Sequence, residues 1–162
     1  PGMDKDLIAT YKKANKAAFK DVFFETKVTG IGKKGDKLKV NFEGKEGKTF
    51  SKQYDKVLVS IGQKPNSKNL GLDKTSVETD DKGFIKVNNR QKTSEKGIFA
   101  IGDVAGPPLL AHKAIYEGRV AAEVIAGKKA ANDARSIPAV IYTEPEIATC
   151  GLSENEAKEK NL

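Results

Sequence analysis

Asp103 ends the run Gly97-Ile98-Phe99-Ala100-Ile101-Gly102, an apolar stretch stopped by a glycine and a carboxylate. In an open α/β sheet ligands bind beyond the carboxyl ends of the strands, where a carboxylate can accept hydrogen bonds from sugar-type hydroxyls. The bland alternative is a turn aspartate capping a neighbouring backbone amide. Shortly after it, Leu110 opens an alanine-rich helical pattern that runs to Ala126 and is closed by Gly127. The first turn of such a helix presents amides with no intrahelical acceptor, and its dipole favours an electron-rich group. His112, the only histidine, sits in that turn, so it is either part of a site or an ordinary surface or core histidine. Cys150, the only cysteine, lies between a strand and a capped helix and reads as a small buried residue rather than a reactive thiol. Gly30-Ile31-Gly32-Lys33-Lys34-Gly35 has the GxGxxG spacing, but Asp36 to Phe42 alternates like a strand. No helix N-terminus follows to hold a pyrophosphate, so these glycines read as a hairpin connection.

The elements that must position these residues alternate in type. Leu7, Ile8, Tyr11, Ala14 and Ala18 recur at three and four, which predicts an amphipathic helix over Asp4 to Lys20. The period then changes to two: Val22 and Phe24, Val28 to Gly30, and Leu38, Val40 and Phe42 predict antiparallel hairpin strands before turns at Gly44 and Gly47. Val57 to Ile61, nearly unbroken and aliphatic up to Gly62, predicts a strand buried on both faces. Strand signals at Val77 and at Phe84, Ile85 and Val87 flank an Asp80-Asp81-Lys82-Gly83 turn. Ser136 to Tyr142 predicts another strand, and Ser153-Glu154-Asn155-Glu156 is a capping box opening a last helix. No internal repeat or low-complexity tract is present. The overall expectation is an α/β chain, oddly bounded for an autonomous domain and therefore an excised segment.

Composition narrows the function classes. The formal charge of +7 invites a nucleic-acid reading, but only three of the 29 basic residues, Arg90, Arg119 and Arg135, are arginines. The lysines are dispersed and lack the interleaved aromatics of a single-strand binder, so they read as solvated surface and no nucleic-acid partner is expected. No apolar run approaches the roughly 20 residues of a membrane span, and no export signal opens the chain, so no membrane partner is expected. A single cysteine allows no internal disulfide or CxxC site, which points to a reducing cytoplasm.

The string Thr93-Ser94-Glu95-Lys96-Gly97-Ile98-Phe99-Ala100-Ile101-Gly102-Asp103, followed by Leu109-Leu110-Ala111-His112-Lys113-Ala114 and Glu117-Gly118, resembles the second FAD-binding motif of the pyridine nucleotide-disulfide oxidoreductases. The continuation after Leu109 is similar to the dihydrolipoyl dehydrogenases in that family. The resemblance implies FAD and NAD as cofactors, with Asp103 on the ribitol of FAD and Leu109, Leu110, Ala111 and His112 along the flavin's pyrimidine side. It places the family's catalytic histidine elsewhere, so His112 is a flavin-site residue and no catalytic residue lies in this chain. Val57 to Asn66 resembles the end of the NAD-binding domain, with Gly62 against the nucleotide. Gln63-Lys64 departs from the arginine that commonly follows that glycine in the family. Tyr142-Thr143-Glu144-Pro145-Glu146 resembles the opening of the interface domain. The implied organisation is residues 1–64 as the C-terminal half of the NAD domain, 65–135 as the central segment completing the FAD domain, and 136–162 as the start of an α+β dimerisation domain. The family implies a homodimer that oxidises dihydrolipoamide carried on the acyltransferase of 2-oxoacid dehydrogenase complexes. Competing readings are a sister disulfide reductase or transhydrogenase of the same superfamily, and an inactive interaction fragment.

Overall fold

The computed structural model describes residues 3–162, which divide into two compact units, Lys12–Gly62 and the remainder of the chain. The Lys12–Gly62 unit is built on β1 (Lys27–Lys34), β2 (Lys37–Glu43) and β3 (Thr49–Tyr54), an antiparallel sheet in the order β1-β2-β3. Alternation in β2 turns Leu38, Val40 and Phe42 to one face and Lys37, Lys39, Asn41 and Glu43 to the other, and Val40 and Phe42 are buried. Register places Phe50 opposite Phe42 and Tyr54 opposite Leu38. Phe42 stacks on Phe50 with centroids 4.9 Å apart, and Phe23 lies 5.1 Å from Phe50 and 5.7 Å from Phe42. Tyr54 closes this small aromatic core edge-on at 6.4 Å. Between Lys12 and Gly62 thirteen lysines face six carboxylates, an excess equal to the formal +7 of the whole chain.

Several expectations for the residues up to Gly62 need correction. The pattern over Asp4 to Lys20 yields a shorter helix, α1 (Lys5–Ala14), whose residues Leu7, Ile8 and Tyr11 are only half-buried. Val22 and Phe24 join no strand; Phe23, itself exposed, lays its ring against Phe42 and Phe50, and Phe24 stacks under the Lys12 ammonium, 4.0 Å from the ring centroid. Gly30 and Gly32 lie inside β1, and only Gly35, at φ 61, serves the two-residue connection to β2. Val57 to Ile61 is not a strand, and Leu58 and Ile61 are each 92% exposed. A strand apolar on both faces forms only between neighbours that hydrogen-bond its two edges and cover its two sides, and the three-stranded sheet supplies neither.

The second unit carries its core on α2 (Ala111–Ile125), where Lys113, Glu117, Val120, Ala121 and Val124 form one buried stripe at helical spacing. Burying Val120 and Val124 contributes about 1.5–3 kcal/mol each. Gly127, at φ 80, ends the helix: its amide donates to the Val124 carbonyl and that of Lys128 to the Glu123 carbonyl, the 5→2 and 6→1 bonds of a Schellman motif. Thr79 and Ile85 pair across the expected Asp80–Gly83 turn, in which one Asp80 carboxylate oxygen accepts from the amides of Lys82 and Phe84. The Gly97–Asp103 run makes only one bridge, Lys92 with Phe99, and is extended rather than a full strand. β4 (Ala139–Ile141) and β5 (Ile147–Thr149) pair as an antiparallel ribbon, narrower than the predicted Ser136–Tyr142 strand. The ribbon leads to α3 (Glu154–Glu159), capped by Ser153 and Glu156 as expected. Cys150 is exposed rather than buried, because it lies past the end of β5, and its sulfur rests 3.3 Å from the Ser136 hydroxyl. Among the described residues no helix is long and apolar enough to cross a membrane.

Candidate functional site

Asp103 lies in a 3-10 turn, Gly102–Ala105, that joins the extended Ile98–Ile101 segment to the approach of α2. Gly102 has φ 71, where a side chain is disfavoured, and a Cβ there would stand 3.0 Å from the Cβ of Ala114 on α2. The turn is therefore pressed against the helix at a position only glycine fills. Its far side is tied down by the Ile85 amide, which donates to the Val104 carbonyl at 2.8 Å.

The buried side of the turn is held by two charged residues. Glu117 Oε2 accepts the Gly102 amide proton at 2.7 Å. Lys113 Nζ donates to the carbonyls of Gly102 at 3.2 Å and Gly106 at 2.9 Å, and pairs with Glu117 at 3.0 Å. Each of these two side chains is only 6% exposed. Sequence reasoning assigned them no role, although a lysine and a glutamate at i and i+4 sharing a stripe with Val120, Ala121 and Val124 is the available signal.

On the open side, the Asp103 carboxylate is exposed and caps no helix amide. It accepts a hydrogen bond from the Gln63 side-chain amide at 2.6 Å. Gln63 thus supplies a neutral donor to the carboxylate. Asp103, Gln63, Pro65, Phe84, Val104 and Leu109 line a recess of about 270 Å³. A larger open recess, about 550 Å³, runs along Ser67–Leu72 and Gly83, but it excludes Asp103 and holds no histidine or cysteine, so volume alone does not mark the site.

Leu110 is the N-cap of α2 and no side chain caps the helix, so the amides of Ala111, His112 and Lys113 have no intrahelical acceptor. The helix dipole adds partial positive charge there. His112 is exposed and its Nε2 lies 2.6 Å from the Pro138 carbonyl; a carbonyl only accepts, so Nε2 carries the proton. That contact ties the start of α2 to the segment entering β4. Of the expected site residues, Asp103 and Leu109 share the recess, whereas Leu110, Ala111 and His112 form the helix N-terminus beside it in sequence. Gly62 belongs to the Lys12–Gly62 unit; its φ of 115 requires glycine, and the space a Cβ would occupy is open. The second unit thus offers an acceptor carboxylate, a neutral amide donor, an apolar wall and free helix amides, a set suited to a polyhydroxylated, electron-rich ligand.

Known proteins resemble this chain in sequence and in fold. Along its whole length the chain is 46% identical to the dihydrolipoyl dehydrogenase of Vibrio cholerae, covering 34% of that protein. It is 47% identical to the enzyme of the same name from Haemophilus influenzae and 38% identical to that of Bacillus subtilis, again covering 34% of each. The chain therefore spans about a third of the length of the curated relatives it matches. Among solved structures, LpdA of Mycobacterium tuberculosis superposes with a TM-score of 0.85 at 24% identity over 100% of this chain and 35% of that one. The Cu(II) complex of the HOCl-induced flavoprotein disulfide reductase RclA of Escherichia coli superposes with a TM-score of 0.86 at 20% identity, over 98% of this chain and 36% of that one. Both share the fold, an α/β arrangement of mixed helix and strand. Residues 1–118 match the family model described as pyridine nucleotide-disulphide oxidoreductase, and the chain belongs to that family.

Proposed function

We propose that the chain is an internal segment of a dihydrolipoyl dehydrogenase, the flavoprotein that oxidises dihydrolipoamide and reduces NAD in 2-oxoacid dehydrogenase complexes. The observation that carries this reading is unbroken similarity, 38–47% identity across the chain, to relatives bearing that name. In that reaction the dithiol loses two electrons and two protons to become a disulfide, a hydride passes to NAD and one proton is released. The electron acceptor between dithiol and NAD would be bound FAD. With one cysteine, this segment contributes cofactor walls and no redox disulfide.

The donor set fits the flavin cofactor. Asp103 would accept from ribitol hydroxyls, a role supported by its exposed carboxylate and by an amide partner, Gln63, that hydroxyls can replace. Leu109 and Leu110 would supply apolar wall, and the uncapped amides at Ala111 and His112 would face electron-rich atoms of the ring. Gly62 would allow close approach of NAD, consistent with its positive φ and open surroundings. In the same reading residues 1–64 close the NAD domain, 65–135 complete the FAD domain and 136–162 open the interface domain of a cytoplasmic homodimer. The exposed Leu58 and Ile61 support this, because neighbouring strands from the rest of the enzyme would cover them.

The test is to purify the full-length protein that carries this segment, record its visible spectrum, and follow NADH formation with dihydrolipoamide. A yellow protein that reduces NAD is the expected result. A protein that takes up no flavin, or that is inactive on dihydrolipoamide while reducing another disulfide with a nicotinamide donor, would overturn the assignment.

A further inference from the structure

The Lys113–Glu117 pair is costly for a fold to carry. Withdrawing two charges from water is repaid only by good geometry, and apolar replacement of such a pair is often neutral or stabilising. Here the geometry is spent on one short stretch of backbone. Glu117 takes the amide proton of Gly102 at 2.7 Å and Lys113 donates to the carbonyl of the same residue at 3.2 Å, so both polar groups of the residue before Asp103 are fixed by side chains of α2. The third arm, Lys113 to the Gly106 carbonyl at 2.9 Å, holds the residue just past the turn. With Glu117 at 3.0 Å, the three ammonium protons of Lys113 have carboxylate and carbonyl acceptors and none is left over. Hydrophobic packing could hold the turn near α2, but it is non-directional, and the Ile85 amide fixes only the far side of the turn at Val104. A set of directional bonds to Gly102 and Gly106 sets where the intervening carboxylate points.

We propose that Lys113 and Glu117 are positioning residues for the cofactor site, a buried clamp that fixes the Gly102–Gly106 backbone and thereby aims Asp103 at its ligand. This rests on the reading of Asp103 as a flavin-binding residue. The clamp acts through the turn and touches no ligand itself. Its signature is loss of cofactor affinity in a protein that keeps its fold, since Val120, Ala121 and Val124 pack α2 without it.

The test uses the full-length flavoprotein and three variants: Glu117→Gln, Lys113→Met, and the combined Lys113→Met/Glu117→Leu. Apoprotein of each is titrated with FAD by flavin fluorescence, and folding is followed separately by circular dichroism. The combined variant, which leaves neither charge unpaired, is expected to unfold within a few degrees of the parent. Its dissociation constant for FAD should rise at least about tenfold, the cost of misplacing one charged hydrogen-bonding group. Glu117→Gln keeps an acceptor for the Gly102 amide and should fall between the two. Parent-like FAD affinity in the folded combined variant would overturn the proposal. Failure of every variant to fold would overturn it as well, because the pair would then belong to the fold. Failure of the parent itself to bind FAD would instead sink the reading of Asp103, and this inference with it.

Discussion

Replacing Gly102 with alanine probes the contact on which the site depends. The added methyl meets two separate obstacles. The φ of 71 places a Cβ against the following carbonyl, worth roughly 1–2 kcal/mol in an L-residue. The methyl would also sit 3.0 Å from the Ala114 Cβ, well inside the roughly 3.5–4.0 Å of a relaxed carbon contact. Ala114 has no flexible end to swing aside, so the turn or α2 must shift, at a further cost of about 1–2 kcal/mol. The sum is about 2–4 kcal/mol, or roughly 4–16 °C in melting temperature for a protein of this size. Gly97→Ala is the matched control, since Gly97 also has a positive φ, 86, but nothing lies within 4 Å of the added methyl. It should lose only the backbone part, roughly 1–2 kcal/mol. Thermal melts followed by helical circular dichroism suit the comparison because α2, at 15 residues, is the longest helix described. If Gly102→Ala melts with Gly97→Ala or above it, the close approach of turn and helix is not as described.

Two further outcomes follow from the same geometry. Asp103→Ala in the full-length protein should weaken FAD binding by roughly 10–100-fold, the worth of hydrogen bonds to a charged acceptor, measured by titrating the apoprotein; unchanged affinity would remove Asp103 from the site. At α3, the Glu156 carboxyl is held below its ordinary value by the Ser153 amide and hydroxyl that donate to it. Its folded value therefore lies below its unfolded one, so the cap is complete above the unfolded carboxyl range and is lost as pH falls through the lowered folded value. Protection of the Ser153 amide against exchange, relative to its intrinsic rate at each pH, should fall on acidification, and Glu156→Gln, which removes the titrating carboxyl, should abolish that pH dependence.

What the sequence disclosed depended on how locally each element is determined. β2, α2 with its Gly127 stop, and the Ser153–Glu156 box are each specified by residues within a turn or two of one another, and each formed where expected. β3 escaped notice because only Phe50 and Tyr54 are apolar, and its third inward position is Lys52, which pairs with Asp21 at 2.6 Å and sits over the Phe23 ring. Val57 to Ile61 misled in the opposite direction: its composition describes an environment of flanking strands and covering layers that the described residues do not place around it. In the candidate site, Asp103 and the α2 terminus were legible because a glycine, a carboxylate and a helix start fall in a fixed order. The Lys113–Glu117 clamp was not, since a lysine four residues before a glutamate looks the same on paper whether it faces water or a buried turn.

The confinement of the net charge to Lys12–Gly62 has a consequence for handling as well as for stability. Seven unbalanced positive charges on 51 residues repel one another over the roughly 10 Å screening length of 0.1 M salt, while the carboxylates and cations of the other unit balance. Ionic strength therefore acts on the two units unequally. Lowering the salt raises the repulsion among the lysines around the Val40 and Phe42 sheet more than in the unit that carries α2, whose charges cancel.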